Sequence, residues 1–206
     1  MTTAILDRAD LRQIARIIEP ESRVLDVGSG DGRLLAYLKE QKGVDGRGIE
    51  LRQNRVNVSL GKGLAVIQGD AEEELPEYPS NSFDYVVLSR TLPAAKNPKE
   101  MLRQMLRIGR RGVLSMANFG YWRVRMHLLF RGTMPVTKSL DNPWYDTENI
   151  HLCTMRDFMK LAKEMDIIVE KCVAITNNKV LRCDEDDFYT NFFAEEVVFV
   201  IKKKDD

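Results

Sequence analysis

The chain has 206 residues, 44% of them apolar, with 31 lysines and arginines balanced by 31 acids. Its length suits one α/β domain with a full core, and its composition argues against disorder. Balanced charge leaves no field to attract a polyanion, so a nucleic-acid binder is not expected, and no apolar run approaches the length needed to cross a bilayer.

Leu6 to Ile18 carries a broad apolar stripe of Leu11, Ile14, Ala15, Ile17 and Ile18, which predicts a leading helix ending before Pro20. Val24, Leu25 and Val27 read as a short strand buried on both faces. The run VLDVGSGDG continues through Gly28, Gly30 and Gly32, which free the backbone to turn sharply and let a ligand approach without a Cβ in the way. Arg33 to Gln41 then places Leu34, Leu35 and Leu38 on one helix face. Strand, turn and helix make a cradle in which backbone N–H groups and the positive end of a helix face the ligand. After a loop over 43–48, a second strand, Gly48 to Leu51, carries Glu50 at the carboxyl end of the neighbouring parallel strand. There a carboxylate can accept hydrogen bonds from both hydroxyls of a ribose. Gln53 to Leu60 is a weaker helix. The third strand, Ala65 to Asp70, ends in a second acid, and Asp70 with the backbone of Ala71 falls where an adenine edge is expected if the ligand is an adenosine.

Glu72 to Ser82 reads as a solvated acidic loop, and Phe83 to Leu88 as a fourth buried strand with Ser89, Arg90 and Thr91 at its exit. Asn97 caps the next helix, Pro98 takes its first position and Glu100 completes a capping-box-like arrangement. Arg103, Arg107, Arg110 and Arg111 read as a solvated helix face running into a turn. Gly112 to Ala117 is the fifth strand. Strands alternating with helices argue for an α/β fold, a mostly parallel sheet with helices on both faces and ligands beyond the strands' carboxyl ends. From Tyr121 to Cys153 the pattern breaks into aromatics, arginines and prolines, the makings of a lid, a substrate pocket or a partner surface. Thr154 and Asp157 open another helix. Ile167 to Ile175 is a sixth strand, a variable polar stretch follows, and Glu196 to Lys202 is a seventh before a solvated KKKDD end. Nothing at Met1 to Thr3 resembles a signal peptide. Cys153, Cys172 and Cys183 are odd in number and far apart, so a reduced, cytoplasmic setting is expected. Neither cysteines nor histidines show metal-ligand spacing.

Two adenosine-bearing ligands compete for the cradle, a dinucleotide and S-adenosylmethionine (SAM). In GSGDG the third glycine comes one residue earlier than in dinucleotide turns, and Asp31 is a poorer neighbour for a pyrophosphate than for the ammonium group of a methionine. Taken together, VLDVGSGDG, GRGIE, VIQGD and FDYVVLSRTL resemble the class I SAM-dependent methyltransferases. The run NFGYWRVRMHLLFRGTMPVTKSLDNPWYDTENIHLCTMRDF is narrower and closely resembles the MetW family of methionine biosynthesis proteins, a resemblance that spans 24–174. It implies one domain over 1–206 with a family-specific insert or lid at about 119–153, and a Rossmann-like, seven-stranded, mostly parallel sheet with an antiparallel last strand. It also implies SAM or S-adenosylhomocysteine held by Asp26, Gly28, Gly30, Glu50, Asp70 and Ala71, with Ser29, Leu51 and Ser89 completing the set. Finally, it implies a role beside homoserine O-acyltransferase.

Two readings of function remain open. In the first, the chain is a SAM-binding module whose aromatic, arginine-rich segment, including Trp122, Arg123, Arg125, Trp144 and Tyr145, docks on the acyltransferase. In the second, it transfers a methyl group to a small-molecule acceptor, for which proximity supplies much of the catalysis and a base is optional. Asn118, His127, Tyr145 and His151 are the polar candidates for that chemistry.

Overall fold

The computed structural model describes residues 6–137, 140, 142–181, 183 and 188–204. Met1 to Thr3 and the last two residues of the KKKDD tail lie outside them. Five strands, β1 (Arg23–Val27), β2 (Asp45–Glu50), β3 (Ala65–Gln68), β4 (Phe83–Ser89) and β5 (Gly109–Ala117), run parallel. With β6 (Ile167–Thr176), β7 (Lys179–Leu181) and β8 (Glu196–Lys203) they form one sheet in the order β3-β2-β1-β4-β5-β8-β6-β7. The last strand lies antiparallel to both of its neighbours, β5 and β6. The seven expected strands are therefore present, and β7 is an eighth. It forms because Asn177 and Asn178 both take positive φ, the two-residue turn that matches the twist of a hairpin.

Among the described residues, eight α-helices accompany the sheet: α1 (Ala9–Ile17), α2 (Arg33–Lys42), α3 (Gln53–Gly61), α4 (Ala71–Glu74), α5 (Pro98–Ile108), α6 (Trp122–Arg131), α7 (Met155–Glu164) and α8 (Phe188–Phe193). Side chains alternate between two cores, as strand geometry requires. Tyr85 and Val87 of β4 face Leu11, Ile14, Leu34 and Leu38 of α1 and α2. Val86 and Leu88 face Met101, Met105 and Phe158 of α5 and α7, where Phe158 stacks on Phe199 with ring centroids 4.4 Å apart.

Several boundaries differ from the sequence expectation. The 43–48 loop gives its last four residues to β2, because pairing with β1 from Arg23↔Asp45 onward overrides the weak strand preference of Gly46 and Gly48. Glu72 to Ser82 opens with α4 and a 3-10 turn, Leu75–Glu77, that buries Leu75. The α5 box is half made: the Asn97 side chain accepts from Glu100 N, but Asn97 N donates to Glu72 Oε1 instead. At α7 the box from Thr154 to Asp157 is complete. Of the arginines expected on a solvated face, Arg103, Arg110 and Arg111 are exposed and Arg107 is half-buried. Arg107 donates to the carbonyls of Leu75 and Tyr78, and Arg111 bonds Glu170 at 2.7 Å.

Cys172 and Cys183 are disulfide-bonded, with Cα atoms 5.5 Å apart, which corrects the expectation of reduced, separate cysteines. The cause is the β6–β7 hairpin: Ala174 pairs with Leu181, and continuing that register sets the two cysteines opposite each other. Cys153 stays free, its thiol pushed up to about 11 by burial. No helix of the described residues is long and apolar enough to cross a membrane.

Candidate ligand-binding cleft

A cleft of about 870 Å³ opens at the carboxyl ends of β1 to β4. Its floor is the turn after β1. Gly28 has a φ of +76°, and a Cβ there would lie 2.6 Å from Thr91 Oγ1, which itself donates to Val27 O at 2.8 Å. The turn is thus shaped both by left-handed backbone and by a hydroxyl packed against it. Gly30 also takes positive φ but faces open space, and its N–H donates to Glu50 Oε2 at 2.8 Å.

Glu50 is buried, and its second oxygen accepts from Arg52 N at 2.9 Å. Two backbone donors therefore fix a carboxylate at the strand end with lone pairs left over for the hydroxyls of a ligand. Beneath it, Asp26 is fully enclosed, and its Oδ1 has no hydrogen-bond partner; neither has the buried Ser29 Oγ. Burial pushes the Asp26 carboxyl up to about 7, with Arg8 opposing and Glu50 adding to the rise. Unpartnered buried polar atoms are rare, and here both sit in the wall of one cleft, so they fit a ligand that brings hydrogen-bond donors. Asp70 caps α4 by accepting from Glu72 N at 3.0 Å and meets Lys96 at the surface.

All nine residues anticipated for the ligand line this cleft: Asp26, Gly28, Ser29, Gly30 and Ser89, with Glu50, Leu51, Asp70 and Ala71. Asp31 does not have the free charge the sequence suggested. Arg33 holds it through two bonds of 2.9 Å, which keep its carboxyl below the usual range.

The four catalytic candidates lie off the cleft walls. Asn118 is buried and saturated, donating to the carbonyls of Asn191 and Ala194 and accepting from Gly120 N and Met155 N. His127 on α6 meets Thr133 Oγ1 at 3.1 Å, Tyr145 is exposed, and exposed His151 is held by its backbone, whose N–H donates to Pro93 O.

Sequence reasoning missed a charged cluster at the rim. Asp10, wholly buried on α1, receives two bonds from Arg8 at 3.1 and 2.6 Å and one from Ser115 Oγ at 2.7 Å, with Arg90 3.9 Å away. Burial works to raise its carboxyl, but the two guanidiniums and the hydroxyl overcome it and hold it below the usual range. Arg8 also donates to Ser89 Oγ, so the cluster reaches the cleft wall, and Arg90 pairs with Glu196. The available signal was an acid at position 10 inside the helix's own apolar stripe. A second wall comes from residues 142–149, where Asp146, Glu148 and Asn149 line the cleft and Glu148 pairs with Arg52. Among the described residues no cluster suits a metal ion.

This architecture is that of the SAM-dependent methyltransferases. A crystal structure of one from Thermotoga maritima superposes with a TM-score of 0.66 at 17% identity, covering 95% of this chain and 88% of that one. The [4+2]-cyclase SpnF superposes with a TM-score of 0.66 at 14% identity, covering 94% and 80%, so the fold by itself does not fix the reaction. Residues 8–201 match the family described as "Methionine biosynthesis protein MetW", and the chain belongs to that family. Among curated relatives, the bifunctional methionine biosynthesis protein MetXA/MetW of Rhodopirellula baltica is 32% identical over 171 residues, 79% of this chain and 27% of that protein. The chain thus corresponds to about a quarter of that relative's length.

Proposed function

We propose that the cleft binds SAM or S-adenosylhomocysteine and that the chain serves methionine synthesis as an accessory subunit of homoserine O-acyltransferase. The observation that carries the ligand is the pair of unpartnered atoms, Asp26 Oδ1 and Ser29 Oγ, beside the doubly anchored Glu50. Asp26 would meet the ammonium group of the ligand, Glu50 its ribose hydroxyls, and Asp70 with Ala71 its adenine. What supports the partner is the relative whose name joins MetXA to MetW in one protein. A cytoplasmic setting accords with such a role.

Methyl transfer to a small acceptor is the second reading, favoured by the fold, since displacement at a sulfonium methyl needs proximity more than a base. Calorimetry with SAM, together with acyltransferase assays with and without the chain, separates the two. The accessory reading expects SAM binding and stimulated acyltransfer. No stimulation, together with methyl transfer to a defined acceptor that Glu50→Ala abolishes, would overturn it.

A further inference from the structure

Residues 142–150 form a segment with two unlike sides. On one side Asn142, Asp146, Glu148 and Asn149 line the ligand cleft. On the other stand Trp144 and Tyr145, 72% and 75% exposed, packed edge to face with centroids 5.8 Å apart. Ile150 and Leu152 continue the exposed apolar character along the chain. An adjacent Trp and Tyr in water forgo the burial that makes these residues valuable, and such pairs are the usual anchors of an interface.

The segment is lightly tied. The Glu148–Arg52 ion pair is half-exposed on both sides, and such pairs contribute about 1 kcal/mol at most. The amides of Ile150 and His151 both donate to the Pro93 carbonyl, each at 3.0 Å. A bound ligand touching the inner side and a partner touching the outer side would therefore act on one weakly held element.

We infer that segment 142–150 is the docking strap for the acyltransferase and that cleft occupancy sets its affinity for that partner, an inference that rests on the accessory reading above. The occupant is argued from the R. baltica relative, where a MetXA portion shares a polypeptide with the region matching this chain. Fusion of that kind keeps two units at high effective concentration. A second copy of this chain is the competing occupant, and the test separates them.

The test measures binding of the full chain to purified cognate homoserine O-acyltransferase, with and without saturating SAM, for wild type, Trp144→Ala and Trp144→Ala/Tyr145→Ala. Trp144→Ala is expected to weaken the complex at least about tenfold, the double variant more, with SAM affinity of the free chain within about twofold of wild type. In wild type, SAM shifts the partner Kd by about fivefold or more, and the partner shifts the SAM Kd by the same factor, as linkage requires. Wild-type affinity retained by the double variant overturns the strap and leaves the accessory reading standing. So does binding through Trp144 that ignores SAM. Light scattering that shows a dimer lost in Trp144→Ala makes a second copy the occupant and overturns the strap as well. No complex with the wild-type chain overturns the accessory reading and the strap with it.

Discussion

Replacing Asp26 by Asn removes a charge from the cleft floor while keeping its shape. In the folded chain the carboxyl is raised from 3.8 to about 7, chiefly by burial. Each pH unit between those values costs the folded state about 1.4 kcal/mol once the group must ionise. The sign follows from the direction of the shift: the contribution to stability is fully present below 3.8, declines as pH rises and is lost above about 7. Asp26→Asn carries no such decline. Its amide has an unpaired cost of about 1–3 kcal/mol, but that cost does not vary with pH. Between about pH 4.5 and pH 8.5 the variant is therefore expected to gain about 3 kcal/mol on wild type, read from urea titrations at both values. The same variant loses the partner of the ligand's ammonium group, a charged hydrogen bond of about 1.5–3 kcal/mol, so SAM affinity falls by about 10- to 150-fold. In wild type, SAM affinity should drop about tenfold per pH unit below 7, because the carboxyl must shed its proton to receive a cation. Parallel stability curves for variant and wild type would refute the burial argument, and unchanged SAM affinity would refute the ligand assignment.

Asp10→Ala strands the guanidiniums of Arg8 and Arg90 at the rim and should destabilise the fold by about 3–5 kcal/mol in denaturant titration. Because the Asp10 carboxyl is held below 3.8, its contribution is present above that value and is lost as pH falls through the lower folded one, so wild type and variant should converge in acid. Gly28→Ala meets both a φ of +76° and the Thr91 hydroxyl; calorimetry should show SAM affinity reduced at least about tenfold, with about 1–2 kcal/mol lost from backbone strain. Reducing the Cys172–Cys183 bond opens a loop of 11 residues, worth about 3 kcal/mol by chain entropy. Hydrogen exchange should rise across the β6–β7 hairpin and leave β1 and β4 protected.

What could be read from the sequence was whatever a single local signal determines. The apolar residues of β1, β4 and β8 stand close together because both faces of these strands are buried, and Glu50 and Asp70 stand out because Glu50 ends β2 and Asp70 falls two residues past the end of β3, at a parallel-sheet spacing. What could not be read depends on partners distant in the chain. Asp10 looks like a stray acid until Ser115, more than a hundred residues away, meets it at 2.7 Å. Asp31 looks free until Arg33 folds back over it. The first half of β2 has glycine where strands prefer branched residues, and only the close approach of Leu35 and Ser29 accounts for them. Asn177-Asn178 is a hairpin signal with little sequence context, because the strand after it, β7, has only three residues and is largely exposed.

The place of β8 bears on how the domain comes into being. Synthesised after every other strand of the sheet, it lies in the sheet's interior, hydrogen-bonded on one side to β5 and on the other to β6. Until residues 196–203 emerge from the ribosome, β5 and β6 both present open edges, and the β6–β7 hairpin has no strand joining it to the parallel half. Nascent chains with two unpaired edges and exposed apolar faces are the species that misassemble or engage chaperones. Completion of the sheet therefore waits for residues 196–203, and a chain stopped before Glu196 yields two half-sheets with no strand between them.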